Sequence, residues 1–115
     1  MHKIINVKKI VGRNAISMNS GNKLKELIIH EWPKNEKISL DFSEVDIFAS
    51  PFFNAAIGAL LKDRTIHELQ DKLEFPHISD HGKNLLNLVI SNAINFYSDA
   101  EGKTNLGLDE VQKDL

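Results

Sequence analysis

Residues 38–61 read ISLDFSEVDIFASPFFNAAIGALL, and the succession of patterns within them decides the fold class. Ile38, Leu40 and Phe42 alternate with Ser39 and Asp41. That period of two belongs to a half-buried strand, predicted over Lys37–Phe42. Ser43 to Ala49 reads as a turn and a short extended piece. Ser50 and Pro51 then open a helix. Serine is a favoured N-cap because its hydroxyl accepts from a free backbone N–H, and proline suits the first helical position, where no N–H is needed. The helix predicted over Pro51–Lys62 is apolar almost all round, with Phe52, Phe53, Ala55, Ala56, Ile57, Ala59, Leu60 and Leu61. Such a helix is buried or covers a partner. Gly58 costs about 1 kcal/mol of helix propensity relative to Ala, which calls for a packing reason.

Upstream, Ile4, Ile5, Val7, Ile10 and Val11 surround Lys3, Lys8 and Lys9, which predicts a strand over Ile4–Val11, broken or hairpin-like near Asn6. Gly12, Asn14, Asn19 and Gly21 mark a loop. Leu24, Leu27, Ile28 and Trp32 then recur at three- and four-residue steps, giving a helix from Ser20, its expected N-cap, to Trp32, stopped by Pro33. Downstream, a short helix is expected at Thr65–Gln70 and a short strand at Leu73 and Phe75, ended by Pro76. Ser79–Tyr97 reads as the longest helix. Leu86, Val89, Ile90, Ala93, Ile94 and Tyr97 form its apolar face, and Asn84, Asn87, Ser91 and Asn95 its polar one. The division expected is one domain over residues 1–97 and a loose acidic tail over 98–115, where Asp99, Glu101, Asp109, Glu110 and Asp114 outnumber Lys103 and Lys113. Strands alternating with helices imply an α/β sandwich: a small mixed sheet of about four strands, covered mainly on one face by helices. Its expected core is Ile38, Leu40, Phe42, Phe53, Ile57, Leu60, Leu86, Val89, Ile90 and Ala93.

Composition narrows the function. The 115 residues contain no cysteine, which removes disulfide, thiol and iron–sulfur chemistry. Fourteen Lys and Arg face 16 Asp and Glu, and a net charge of −2 argues against a generic nucleic-acid or membrane-surface binder. No apolar run approaches the ~20 residues of a membrane span, and the opening MHKIINVKKIVGR lacks a signal-like apolar core, so a cytoplasmic location is expected.

The same segment carries a resemblance. Asp41 and Phe42 at the strand end, Ser50 with Pro51 before Phe53, and the stretch Asn54, Ala55, Ala56, Ile57, Gly58 resemble the anti-sigma-factor-antagonist (STAS) domain, and more closely the bacterial STAS-like domains of unknown function. Leu86, Val89, Asn92, Ala93 and Tyr97 are similar to that family's last helix, so the likeness covers roughly Ile4–Tyr97. It implies a four-stranded sheet with helices on one side and a regulatory, non-catalytic role. In the antagonists a Ser or Thr at the helix start is phosphorylated by a kinase-like anti-sigma factor, and the modified domain lets that partner go. The matching position here is Ser50. The antagonist pattern of Asp, two hydroxyl residues and Gly is replaced by Ala49, Ser50, Pro51 and Phe52.

Other side chains invite chemical readings of their own. Asp41 and Asp46 flank Ser43 as a candidate acid–base pair, but a strand-end Asp more often accepts backbone N–H groups in a turn. His77 and His81 are four apart, yet Pro76 and Ser79 argue against a shared helix, and solvated or structural histidines are expected over a metal site. Six cations before His30, namely Lys3, Lys8, Lys9, Arg13, Lys23 and Lys25, face Glu26 alone. They read as a solvated strand face answered by the acidic tail. The resulting expectation is a regulatory protein-binding domain with no catalytic residue, metal or cofactor, whose partner is of the kinase-like ATPase type. Its binding residues are Ser43, Asp46, Phe48, Ser50, Phe52 and Asn54, with Phe48 or Phe52 exposed as the apolar anchor and Ser50 as phosphoacceptor. A homo-oligomer built on the apolar helix or a free strand edge is the alternative, and a small enzyme using Asp41, Asp46 or Ser50 stands behind it.

Overall fold

A computed structural model describes residues 1–102. The elements in chain order are β1 (His2–Asn6), α1 (Val7–Val11), β2 (Asn14–Ala15), α2 (Met18–Glu31), β3 (Lys37–Asp41), β4 (Ile47–Phe48), α3 (Ser50–Ala56), α4 (Ile66–Lys72), β5 (Leu73–Glu74) and α5 (Asp80–Gly102), with 3-10 turns at Trp32–Lys34 and Gly58–Lys62. The α/β class read from the sequence is the class observed. The strands form a three-stranded sheet in the order β1-β3-β5 and a separate β2-β4 ribbon. Every pairing is parallel, where a mixed sheet was expected. Helices lie on every connection between paired strands, and a helical crossover returns the chain in the same direction.

Register shows where the core sits. Ile5 pairs with Leu40, and Ile38 with Leu73, so these four share one face and all are buried. Ile4, Ser39 and Glu74 align on the other face, where Ile4 and Glu74 are exposed. The helices therefore cover one side of the sheet. Ser39 is nevertheless buried, beneath a polar link across three strands. Its Oγ donates to Glu74 Oε1 (2.9 Å), and His2 Nε2 lies 2.6 Å from the same Oγ. With the single hydroxyl proton committed to Glu74, His2 Nε2 is the donor of that second bond.

The expected break at Asn6 is real, but the chain continues beyond it as a helix and not as more strand. Asn6 Oδ1 accepts from the Lys9 N–H (3.0 Å), capping α1, and Gly12 ends it with φ of +84°. The Gly12–Gly21 stretch is also more ordered than its punctuation suggests. Asn14 and Ala15 form β2, and Ser17, not Ser20, caps α2: Ser17 Oγ accepts from the Ser20 N–H (3.0 Å). Gly21 thus lies inside α2. A Cβ there would meet the Phe52 carbonyl oxygen and Ala55 Cβ (2.8 Å), so the missing side chain lets α2 lie directly on α3.

The helix predicted over Pro51–Lys62 is present as two pieces, α3 and the 3-10 turn Gly58–Lys62, joined at Ile57. The layer is buried between α2 and α5. Gly58 faces Val89 and Ala93 of α5 at ordinary contact distance, which supplies its packing reason. Phe42, Phe48 and Phe52 all pack on Phe53, at centroid distances of 6.0, 5.6 and 5.3 Å. Thr65 closes a capping box with Glu68 at the start of α4, and β5 falls at Leu73–Glu74. Eight of the expected core residues are buried, while Ile90 and Ala93 pack at its edge. The last helix extends to Gly102, five residues into the segment expected as tail. The rest of that segment, 103–115, lies outside the described residues. Among the described residues no helix is long and apolar enough to cross a membrane.

Candidate functional site

The β3–β4 turn, the β2-β4 ribbon and the start of α3 form one end of the molecule, and the ribbon organises it. Asn14 pairs with Ile47 and Ala15 with Phe48, and the ladder continues through the Ala49 N–H to the Ala15 carbonyl (3.0 Å). Side chains alternate across an extended pair. Ala15 and Phe48 point into the core, and Asn14 and Ile47 point out.

The expected site residues divide on this geometry. Phe48 is 7% exposed and Phe52 is fully buried, so neither serves as a surface anchor. The cause lies in two glycines. The first turn of α5 rests on the Phe48 ring through Gly82, where a Cβ would stand 3.0 Å from it, and α2 lies through Gly21 directly on the α3 backbone at the Phe52 carbonyl and Ala55. The His81 ring meets the Phe48 ring in a T-shaped contact (centroids 6.4 Å apart). Ser50 is not the N-cap. Ala49 holds that position with extended backbone (φ −142°, ψ 153°) and offers no side-chain cap, so Ser50 is the first helical residue, half-buried, with Pro51 behind it. Asn54 is exposed one turn on.

Ser43 and Asp41 are brought together. The Ser43 Oγ and backbone N–H both donate to Asp41 Oδ1, at 2.7 and 2.9 Å. The Ser43 hydroxyl, then its N–H, hold the Asp41 carboxyl below its ordinary pKa, with His77 adding a smaller pull against partial burial. This is turn chemistry: the carboxylate oxygen that faces Ser43 is already occupied. Asp46 is exposed and pairs with Arg13 (3.1 Å). Glu44, with φ of +64°, turns the chain and pairs with Lys8 (2.8 Å) and Arg13 (3.4 Å). The Lys8 side-chain hydrogen bond leads in lowering the Glu44 pKa. Lys8 and Arg13 are therefore answered by Glu44 and Asp46, and the acidic tail expected to answer them lies, beyond Gly102, outside the described residues. The two aspartates each have their own partner, and among the described residues no three His, Asp or Glu side chains gather as a metal site.

Sequence reasoning missed the apolar residues that are exposed here. Ile16 is 42%, Met18 61% and Ile47 51% exposed. Ile16 directly follows the ribbon on the outward side, and Met18 opens α2 two residues later. The available signal was weak: isolated apolar residues inside a polar, punctuated loop, and a two-residue alternation at Ile47-Phe48. This end thus offers exposed apolar residues, with Ile16 brought close to Ser50 by the Ala49–Ala15 hydrogen bond, and bordered by ion-paired Arg13, Glu44 and Asp46. It can dock a surface.

Among comparisons with known proteins, a family model described as a STAS-like domain of unknown function (DUF4325) matches residues 20–83, from α2 through the first turn of α5. No curated protein and no solved structure matches the chain. The matched span is more than half of the 115 residues and includes Ser43, Asp46, Phe48, Ser50, Phe52 and Asn54. Ile16 and Met18 precede it.

Proposed function

The chain belongs to the family of STAS-like domains of unknown function, and from that premise we propose that it is a non-catalytic regulatory domain that binds another protein through the β2-β4 and α3 end. The observation that carries this reading is the exposure of Ile16, Met18 and Ile47 around the β2-β4 ribbon, where the Ala49–Ala15 hydrogen bond brings Ile16 close to Ser50. An interface needs a water-excluding apolar centre with a polar rim, and this end has both. The partner proposed is a cytoplasmic ATPase of the anti-sigma-factor kinase type, by likeness to the antagonists. Ser50 is its phosphoacceptor.

The switch works through desolvation. A phosphate at Ser50 adds about −1.5 to −2 charge beside an apolar patch. Docking would then bury that charge against Ile16 and Ile47, with acidic Asp46 nearby, and the complex would weaken. The fold would stand, because Ser50 caps nothing. Incubation of the full chain with a purified ATPase of this type and ATP, read by intact mass, should show one phosphate that Ser50→Ala abolishes. Pull-down by the same ATPase should fail for Ile47→Asp and weaken for Ser50→Asp. Equal capture of wild type and Ile47→Asp would dismiss the surface, and equal capture of Ser50→Asp would dismiss the switch alone.

A second reading has one observation in its favour. β1 is an edge strand of the sheet and carries Ile4, exposed, on the uncovered face. Pairing of β1 with a second copy would make a homodimer, which light scattering at rising concentration detects, and which Ile4→Lys should disperse.

A further inference from the structure

An open groove of about 770 Å³ runs between α4, β5 and α5, floored by Ile66, Leu69, Leu73, Ile78, Ile90 and Ile94. Ile94 remains 36% exposed in it. The polar residues along the groove, including Gln70, Asn87 and Ser91, are all exposed. None is buried and aimed inward to orient a small ligand, so the groove suits a row of aliphatic side chains from a peptide segment. At Ile66 and Ile94 it joins a second recess of about 300 Å³, which holds Lys62, Asp63, Arg64 and Tyr97. This recess, with two cations to one acid, lies nearer the Gly102 end of α5, and the apolar groove lies farther back along it.

We propose that residues 103–115 of this chain fold back along α5 and occupy both recesses. Three observations name this occupant. The first is position: thirteen residues follow Gly102, where α5 ends. The second is reach. From Gly102 back to Ile94 is about 12 Å of helix at 1.5 Å per residue, and to Lys83 about 29 Å. Thirteen extended residues span about 43 Å. The third is the order of chemistry. After Lys103, Thr104, Asn105 and Gly107, which suit a reversal, Asp109 and Glu110 would reach Lys62 and Arg64 first, and Val111 and Leu115 would lie over Ile94 and Ile90 beyond. The tail's acids then meet this recess. The groove shares no lining residue with Ile16, Met18, Ile47, Ser50 and Asn54, so this assignment stands or falls apart from the proposed partner.

The chain has no cysteine, so one spin label is placed cleanly with Gln112→Cys in the full chain. In methyl spectra the label should remove most of the intensity of Ile66, Ile90 and Ile94, and leave Ile16 and Ile47 sharp. Val111→Ser with Leu115→Ser in the same labelled chain should restore the groove signals. Uniform or absent broadening overturns the proposal. A mixture of spin-labelled chains at natural isotope abundance with methyl-enriched chains that carry no spin label provides the remaining control. Broadening that persists there assigns the groove to the tail of a second copy and overturns the intramolecular assignment.

Discussion

In the three-stranded sheet, the central strand β3 has Ile38, Ser39 and Leu40 buried in succession, covered by helices on one side and by the His2–Ser39–Glu74 link on the other. In the two-stranded ribbon, each strand has one buried and one exposed residue: Ala15 against Asn14, and Phe48 against Ile47. Both are parallel pairings of β-rich sequence. They differ in what covers them. β3 lies between two strands and beneath helices, whereas the ribbon has only its inner side against α3 and α5. An element covered on one side can contribute to the core through alternate residues and leave the others for recognition.

The sharpest way to break that contrast is to test whether the ribbon's inner residue matters as much as the sheet's. Phe48→Ala removes a ring packed between Phe53 and the first turn of α5. It should cost about 3–5 kcal/mol in urea denaturation. Leu40→Ala, from the centre of the sheet, should cost about 2–5 kcal/mol by the same measurement. If Phe48→Ala costs less than about 1 kcal/mol, the size expected of an ordinary substitution, the ribbon is an appended flap and the comparison fails.

This contrast also explains what the sequence made legible. Alternation in KISLDF, the Ser79–Tyr97 periodicity and the all-apolar stretch after Pro51 are properties of long or fully packed elements, where many residues repeat one signal. β3, α5 and the α3 layer were therefore readable, as was most of the core. The ribbon strands are two residues each, too short for any period, and their positions are set by pairing with a distant segment. Burial of Phe48 and Phe52 was hidden for a related reason. It depends on Gly82 and Gly21, whose significance appears only when α5 lies against the Phe48 ring and α2 against the backbone of α3. Ser50 was read as the cap from its residue type, but Ala49 has the extended backbone that an N-cap position requires.

Smaller effects sharpen the picture of the covered strand. Ser39→Ala removes the hydroxyl that joins β1 to β5 across β3. His2 and Glu74 are each about half exposed and regain water, so the loss should be about 1 kcal/mol, close to the net worth of an ordinary hydrogen bond. His2→Ala should lose no more than Ser39→Ala, since Ser39 keeps its bond to Glu74. A much larger loss for His2→Ala would mean that β1 is held by something other than this link.

At the turn between sheet and ribbon, Asp41 supplies a pH test. Its pKa is lowered in the folded chain by the Ser43 hydroxyl and N–H. A carboxyl with a lowered folded pKa contributes stability that is fully present above its unfolded pKa and is lost as pH falls through the folded value. Urea midpoints of the wild type should therefore fall on the acid side, from neutral pH to about pH 3. Asp41→Asn keeps an acceptor for Ser43 but not the charge. It should be slightly less stable at neutral pH and should show a flatter acid limb. A variant whose acid limb matches the wild type would assign that dependence to other carboxylates, with Glu44, lowered chiefly by Lys8, the next to test.

The smallest stability effect belongs to the ribbon's outward side. Ile47→Ser and Ile16→Ser change residues that are 51% and 42% exposed, and each should move stability by no more than about 0.5 kcal/mol. The same variants should weaken capture of the proposed ATPase by about 2 kcal/mol or more if these side chains form the centre of an interface. That inversion, negligible for folding and large for binding, is what separates Ile47 from its neighbour Phe48. Phe48→Ala would weaken binding only through loss of folded protein, so correcting its capture for the folded fraction should restore the wild-type affinity. If Ile47→Ser instead destabilises the chain as Phe48→Ala does, Ile47 is part of the packing, and the alternation of inward and outward duties along the ribbon does not hold.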